Sequence, residues 1–211
     1  ILDLDLLFFC HENLIQNVPV VYQHSRIKHW SLTGWIEGKS PISLNYSMVM
    51  QIVSFLQETN QYEMSELSKY FSTASEALVS VESLLSDIYA RLGKLLAKHQ
   101  DTKLDIEVHD WILSDLIPYA RSCHLSLSEN RSNFTCLSKI FSHPILSQSD
   151  VGVHNTIISN NKLHFFDFEY SGIDDIAKWT CDWICQPNHQ SFSDGLKDNL
   201  ISLIQQSNIK L

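Results

Sequence analysis

Residues 144–172, PILSQSDVGVHNTIISNNKLHFFDFEYSG, decide the fold. A short apolar strand leads into a polar loop, a second strand follows at 156–159, and Asn160-Asn161 turns the chain into a third at 163–166. Apolar runs bounded by Asn and Ser clusters are the signature of such a hairpin. The loop presents Asp150 and Asn155, and the return strand delivers Asp167 beside them. One Asp, one Asn and a second Asp converging at strand ends are the set that a magnesium-dependent phosphoryl transferase uses. The first carboxylate accepts the acceptor's hydroxyl proton, while Asn and the second Asp hold metal on the nucleotide phosphates. Oxygen donors of this kind suit Mg²⁺, which takes one or two carboxylates and keeps several waters.

The spacing Asp-x-x-x-x-Asn is weak by itself. Asp194 and Asn199 repeat it in a stretch with helical periodicity, where it carries no chemistry. Asp150 differs in context: it follows an apolar strand, lies in a Gly-containing loop, and precedes a hairpin ending in Phe165-Phe166-Asp167-Phe168-Glu169.

Ser147-Gln148-Ser149-Asp150-Val151-Gly152-Val153-His154-Asn155, then Phe165-Phe166-Asp167-Phe168-Glu169-Tyr170-Ser171-Gly172, then Asp174-Asp175, resemble the aminoglycoside phosphotransferase and choline kinase family. More narrowly, they are similar to its bacterial branch with a Ser-x-Ser-Asp-x-Gly-x-His-Asn loop. The resemblance implies a two-lobed, protein-kinase-like fold that moves the ATP γ-phosphoryl group to a small-molecule hydroxyl. It implies Asp150 as catalytic base and Asn155 and Asp167 as Mg²⁺ ligands. Most of the family has His-Gly-Asp where Gln148-Ser149-Asp150 stands here, a departure that bears on how the loop is anchored.

Composition bounds the rest. The 211 residues, 44% hydrophobic and 18% charged, suffice for one good core, or for one large lobe and part of another. Net charge −9 argues against a nucleic-acid partner held through phosphates. No apolar run approaches the roughly 20 residues that span a bilayer. Five Cys without framework spacing favour reduced thiols and a cytoplasmic setting. Cys181, Cys185 and His189 recur every four residues and could form a metal face, but interleaved Trp179 and Trp183 favour core packing over zinc.

Before the hairpin, apolar positions from Leu4 to Ile15 predict a helix ending near Asn17, and residues 20–24 and 30–36 read as strands. By the resemblance, residues 1–38 are the last part of a nucleotide-binding lobe. Trp35, Ile36 and Glu37 then form, with Gly38, the hinge whose backbone receives adenine. The family would place a Gly-rich loop and a phosphate-pairing Lys upstream of Ile1. The chain is therefore expected to begin part-way into a longer protein, since a start in mid-helix leaves an apolar face uncovered; loss of the nucleotide lobe is the alternative. Asp3 or Asp5 could pair with that Lys, or simply supply an acidic first helical turn.

Residues 39–211 read as a helical lobe. Met48, Val49, Ile52, Val53 and Leu56 form one stripe. Ser72-Thr73 with Glu76 suggests a capping box opening a long helix through Leu78, Val81, Leu85, Ile88, Leu92 and Leu95 to about Lys98. A second long helix spans Val108 to Cys123, with a kink or break expected at Pro118. A Ser-rich loop follows at 126–138, and two helices built on Ile176–Ile184 and Leu196–Ile204 complete the chain. The class is α+β: a helical C-terminal lobe with a catalytic β-hairpin, plus the remnant of a small N-terminal β lobe.

The remaining polar candidates divide between site and scaffold. His154 could steady the loop or touch a phosphate. Glu169 could reach a second metal or be a solvated strand-end group. Asp174 or Asp175 is placed to cap the following helix, and by the resemblance Asp175 supports the site. Asp182 could bond the catalytic loop or face water, and Arg121 and Arg131 could bind an anionic substrate or be surface groups. The function expected is an ATP- and Mg²⁺-dependent phosphotransferase acting on a hydroxyl of a small polar molecule, such as a sugar, amino-alcohol or aminoglycoside. The rival is a catalytically inactive kinase-like binding module; a metal-dependent hydrolase ranks last, because the chain lacks the multi-carboxylate cluster of a two-metal site.

Overall fold

Asn45 opens the first helix that matters to the site: its side chain accepts a hydrogen bond from the Met48 amide at 3.0 Å, satisfying an amide that the helix start leaves without a partner. In the computed structural model, this helix and the hairpin of 144–172 are held together by paired side-chain amides. The structure describes residues 5–25, 27–28, 30–78, 80–129, 143–186, 193–207 and 209. They fold as two units, one made of Ile1–Ala77 with His143–Leu211, the other of Leu78–Ser142.

The first unit begins with helix α1, Asp5–Glu12. The helix ends five residues short of the expected Asn17. Leu14 takes a left-handed conformation, φ 60; its amide bonds His11 O and the Ile15 amide bonds Cys10 O. That pair of bonds is a Schellman closure, so the cap sets the end before Pro19 does. Strands β1 (Val21–Ser25) and β2 (Trp30–Thr33) form an antiparallel pair. The second is shorter than expected and leaves Trp35 and Ile36 outside it.

Helix α2 (Tyr46–Thr59) buries Val49, Ile52, Val53 and Leu56 of the expected stripe, with Phe55 and Thr59 added, while Met48 is half-buried. A short helix, α3 (Met64–Leu67), follows. The expected capping box at Ser72-Thr73 and Glu76 does not form. Instead Ile173 donates to Ser72 O at 2.8 Å and accepts from the Ala74 amide at 3.0 Å, so this segment lies along a strand. Tertiary pairing has overridden a local helix signal.

In the second unit, helix α4 (Val81–Leu96) starts nine residues after Ser72, where Ser80 and Ser83 form a reciprocal capping box. Helix α5 (Lys103–Trp111) is capped by Thr102 and Asp105 in the same way. That bonding holds the exposed Asp105 carboxyl below its usual range. Residues Ile112–Leu116 form a π turn, in which the Ile117 amide reaches back to Ile112 O, and helix α6 (Ile117–Glu129) continues directly. Pro118 therefore causes no break. A proline needs the carbonyl one turn earlier to move aside, and the wide turn just before it supplies the room. Helix α6 covers the start of the expected Ser-rich loop; Arg131 and the rest of that loop lie outside the described residues.

Returning to the first unit, strand β3 (Pro144–Ser147) is followed by a single 3₁₀ turn (Val153–Asn155), strand β4 (Thr156–Ser159), strand β5 (Lys162–Phe165) and strand β6 (Gly172–Asp175). Helices α7 (Ile176–Cys185) and α8 (Asp194–Gln206) complete it. Asn160 and Asn161 sit at φ 49 and 61, the two left-handed residues that a tight hairpin turn requires. β4 pairs with β5, and β3 pairs with β6, both antiparallel. No helix among the described residues is long and apolar enough to cross a membrane.

The β3–β6 and β4–β5 sheets have their outward edges satisfied by the same device. Leu146 faces Ile173 in a pair whose amides and carbonyls point away from each other. On the Ile173 side the 72–74 segment takes those groups. On the Leu146 side the Asn60 side chain takes both, accepting from Leu146 N at 2.7 Å and donating to Leu146 O at 3.0 Å. Ile158 and Leu163 face each other likewise. Lys39 exchanges both backbone bonds with Ile158, while Gln51 accepts from Leu163 N at 2.8 Å and donates to Asn161 O at 3.3 Å. One helix and its cap thus supply two amides that stand in for missing neighbouring strands. Beneath them lie fully buried Phe55, Phe168, Ile145, Leu163, Trp179 and Trp183, with Phe55 stacked on Phe165 at 4.2 Å. Burial of such side chains stabilises by about 1.5–3 kcal/mol each.

Candidate active site

The chain leaves β3 through an abrupt turn. Ser149 adopts φ 70, which a β-carbon makes costly. The turn is held by bonds two residues apart, Asp150 N to Gln148 O at 3.1 Å and Val151 N to Ser149 O at 3.0 Å. Ser147 Oγ accepts from the Ser149 amide at 2.8 Å. Gln148 is buried, and its Oε1 accepts from Trp179 Nε1 at 3.1 Å. At Gln148 the loop is therefore anchored to α7 by a buried neutral hydrogen bond. A second tie comes from the end of α7, where Gln186 Nε2 donates to Val151 O at 3.1 Å.

The 3₁₀ turn then folds the loop back on itself. Asn155 donates from Nδ2 to Asp150 O at 2.9 Å and to Asp150 Oδ2 at 3.3 Å. His154 Nε2 lies 3.3 Å from Asp150 Oδ1. Asn155 is buried, whereas the Asp150 side chain is 44% exposed. The Asn155 carbonyl accepts from the Phe166 amide at 3.2 Å, and the next residue is Asp167, itself left-handed at φ 62. Asp and Asn tolerate that region best among residues with a side chain.

Asp150, Asn155 and Asp167 are thus gathered at one end of the hairpin. The Asp167 carboxyl is raised above the usual range by its own burial, then by the negative charges of Glu169 and Asp150, with His154 opposing. Glu169 also raises the exposed Tyr170 phenol by accepting its hydrogen bond. Carboxylates that repel one another in a partly enclosed cleft create a field that favours a cation. The side chains of Asp150, Asn155 and Asp167 offer oxygen ligands, the kind that suits Mg²⁺. A small cavity lined by Gln148, Asp150, Gly152, Asn155, Phe166 and Trp183 lies at the Asp150 and Asn155 end of this group.

Trp35, Ile36 and Glu37 precede Gly38, whose chain passes so close to β4 that a β-carbon would sit 2.2 Å from Ile158 O. Lys39 then pairs with Ile158 of β4, and Trp35 is 84% exposed. Asp175 caps α7 by accepting from Ala177 N at 2.8 Å and ties the start of β3 through the His143 amide at 3.2 Å. The expected cap at this position is present, with its strand β6 as an addition. Asp182 pairs with Lys178, which also lies 3.4 Å from fully buried Asp174. Asp182 therefore belongs to an ion-pair group on α7. Arg121 is exposed on α6, and Asp5 opens α1; Asp3 lies outside the described residues. Cys181 and Cys185 are exposed while Trp179 and Trp183 are buried, so core packing accounts for the tryptophans and not for the thiols. His189 lies outside the described residues.

Gln148, Gln186, Asn60 and Gln51 are structural supports that sequence patterns do not disclose. Each acts through an amide reaching a backbone or ring group far along the chain. Only Gln148 carried a signal, as the residue departing from the family loop.

The class of fold is settled by comparison with solved structures. The chain matches aminoglycoside phosphotransferase APH(2″)-Ib bound to ADP at TM-score 0.61 and 19% identity, over 96% of this chain and 64% of that one. It matches spectinomycin phosphotransferase APH(9)-Ia bound to ADP and spectinomycin at TM-score 0.62 and 10% identity, over 96% and 63%. Choline kinase of Cryptosporidium parvum Iowa II matches at TM-score 0.54 and 16% identity, over 98% and 62%. The chain thus has the protein-kinase-like fold of these proteins and spans less than two thirds of their length. No protein-family model matches the sequence, and no curated protein matches it.

Proposed function

We propose that this chain carries the acceptor and metal side of an ATP-dependent phosphotransferase that moves the γ-phosphoryl group to a hydroxyl of a small polar molecule. The observation that supports this best is the division of labour at Asn155. Its Nδ2 is spent on Asp150, which leaves Oδ1 as the atom for a metal ion. Asp167 supplies the second ligand from the end of β5. Bound Mg²⁺ would neutralise charge on the β- and γ-phosphates.

The chain's own residues do the remaining work. Asp150 orients the acceptor hydroxyl and takes its proton as the acceptor oxygen bonds the γ-phosphorus and the bond from that phosphorus to the bridging oxygen breaks, releasing ADP. Asn155 Nδ2 holds the Asp150 carboxylate from one side. The Gln148–Trp179 bond fixes where the loop begins. Backbone groups of Trp35, Ile36 and Glu37 receive the adenine edge, in the segment just before Gly38 and Lys39 meet β4. The acceptors named for the structural neighbours, aminoglycosides and choline, are polyols or amino-alcohols, and a cleft rich in carboxylates favours such cationic acceptors.

The test uses the full-length protein and measures ATP consumption with choline, ethanolamine, gentamicin, spectinomycin and simple sugars as acceptors. Asp150→Asn is expected to lower turnover at least about 100-fold, the scale of a positioned general base, with MgADP affinity changed less than about threefold. Near-normal turnover in that variant would remove Asp150 as the base. Nucleotide binding without turnover in the wild type would favour a binding module instead.

A further inference from the structure

Gly152 and His154 form a feature that the base and metal assignments do not use. Gly152 has φ 163, extended backbone that any residue can adopt, so the glycine is not there for conformational freedom. A β-carbon at this position would lie 2.6 Å from both Cε1 and Nδ1 of His154. The glycine therefore keeps open a slot in which the imidazole lies against the loop backbone.

The ring in that slot is oriented. Nε2 lies 3.3 Å from Asp150 Oδ1, while Nδ1 is buried and has no hydrogen-bond partner. A proton on Nδ1 would be a buried donor with nothing to receive it, whereas a proton on Nε2 meets a carboxylate oxygen. The geometry thus selects the Nε2–H tautomer. Asn155 Nδ2 holds the other oxygen, Oδ2, at 3.3 Å. Each oxygen of Asp150 has its own donor, from two adjacent residues of a single 3₁₀ turn.

We propose that His154, seated in the slot left by Gly152, is a positioning residue that fixes the Asp150 carboxylate for the acceptor hydroxyl. The side chain of Asp150 is 44% exposed, and packing alone does not lock a carboxylate so open to solvent. With a contact on each oxygen, rotation of the carboxylate about its Cβ–Cγ bond is restrained. The proposal rests on Asp150 being the base.

The experiment compares His154→Leu, His154→Gln and Gly152→Ala in the full-length protein, using MgATP and the best of the acceptors named above. Loss of an outer-shell partner typically costs 10–100-fold in activity. His154→Leu is accordingly expected to lower kcat about 10–100-fold, with KM for both substrates changed less than about threefold. His154→Gln keeps a donor and should recover most of kcat; Gly152→Ala, which displaces the ring, should resemble His154→Leu. Equal losses for His154→Leu and His154→Gln, or losses carried by KM alone, overturn the proposal. Side-chain ¹⁵N NMR separates this outcome from failure of the functional assignment. Wild type should show His154 as the Nε2–H tautomer and Asp150→Asn a mixture. A mixture already in the wild type overturns the positioning role whatever the turnover. A wild type with the single tautomer and no phosphoryl transfer overturns the reaction and retains the imidazole–carboxylate contact.

Discussion

Asn60→Ala isolates the amide that closes the outer edge of β3. The native side chain bonds both Leu146 N and Leu146 O, at 2.7 and 3.0 Å, and Leu146 is only 2% exposed. Truncation leaves a buried donor and a buried acceptor, each costing about 1–3 kcal/mol when unpaired. Asn60 itself is half-buried, so water can reach part of the vacated space. The expected loss is therefore about 2–4 kcal/mol, or roughly 5–15 °C in midpoint for a chain of this size. Thermal and urea unfolding of the two proteins, side by side, measures it. Asn60→Asp sharpens the test: it keeps the acceptor for Leu146 N but sets a carboxylate against Leu146 O. The folded state then favours the protonated acid, which can donate, so the stability deficit should shrink as pH falls through the carboxyl range and grow above it. A loss below about 0.5 kcal/mol for Asn60→Ala would show that the edge does not depend on this amide.

Two further outcomes follow from single residues. Ser149→Gly should relieve the left-handed strain at φ 70, raising stability by about 0.5–1 kcal/mol after the added freedom of the unfolded chain is deducted; a loss exceeding about 1 kcal/mol would mean the serine side chain is needed there. Burial, with help from Lys162, lowers the His164 pKa from 6.5, so the fold favours its neutral form. The unfolded chain then binds more protons near that value, and stability is lost as pH falls from about 6.5 through the lower folded value. The difference in urea midpoint between wild type and His164→Gln, followed from pH 7.5 to 5, should reverse or narrow across that window; a constant difference would contradict the assignment.

The site was legible in the sequence where its logic is local. Asp150 and Asn155 are five residues apart, one tight turn brings them into contact, and the Asn160-Asn161 turn fixes how Asp167 returns. Helix α2 was legible because its stripe is periodic. Strand β6 was not: Gly172-Ile173-Asp174-Asp175 has two acids and a glycine in four residues, and its partners lie about 30 residues before it at β3 and 100 before it at Thr73. The same long-range pairing removed the helix start expected at Ser72-Thr73, because a strand edge offered those backbone groups better partners than a first helical turn. At Pro118 the proline was correctly seen as an obstacle, but a π turn is one of several remedies and composition does not choose among them.

Strand β6 also gives the molecule a modular seam. Residue 73 lies along one side of Ile173 and Leu146 along the other, so the two places where the 78–142 segment departs and returns are stitched to one strand, roughly 10 Å apart across two strand spacings. The pairing of β3 with β6 sets the register in which the chain re-enters before Asp150. The intervening segment can then change in length or sequence while the two strands that frame it keep their pairing.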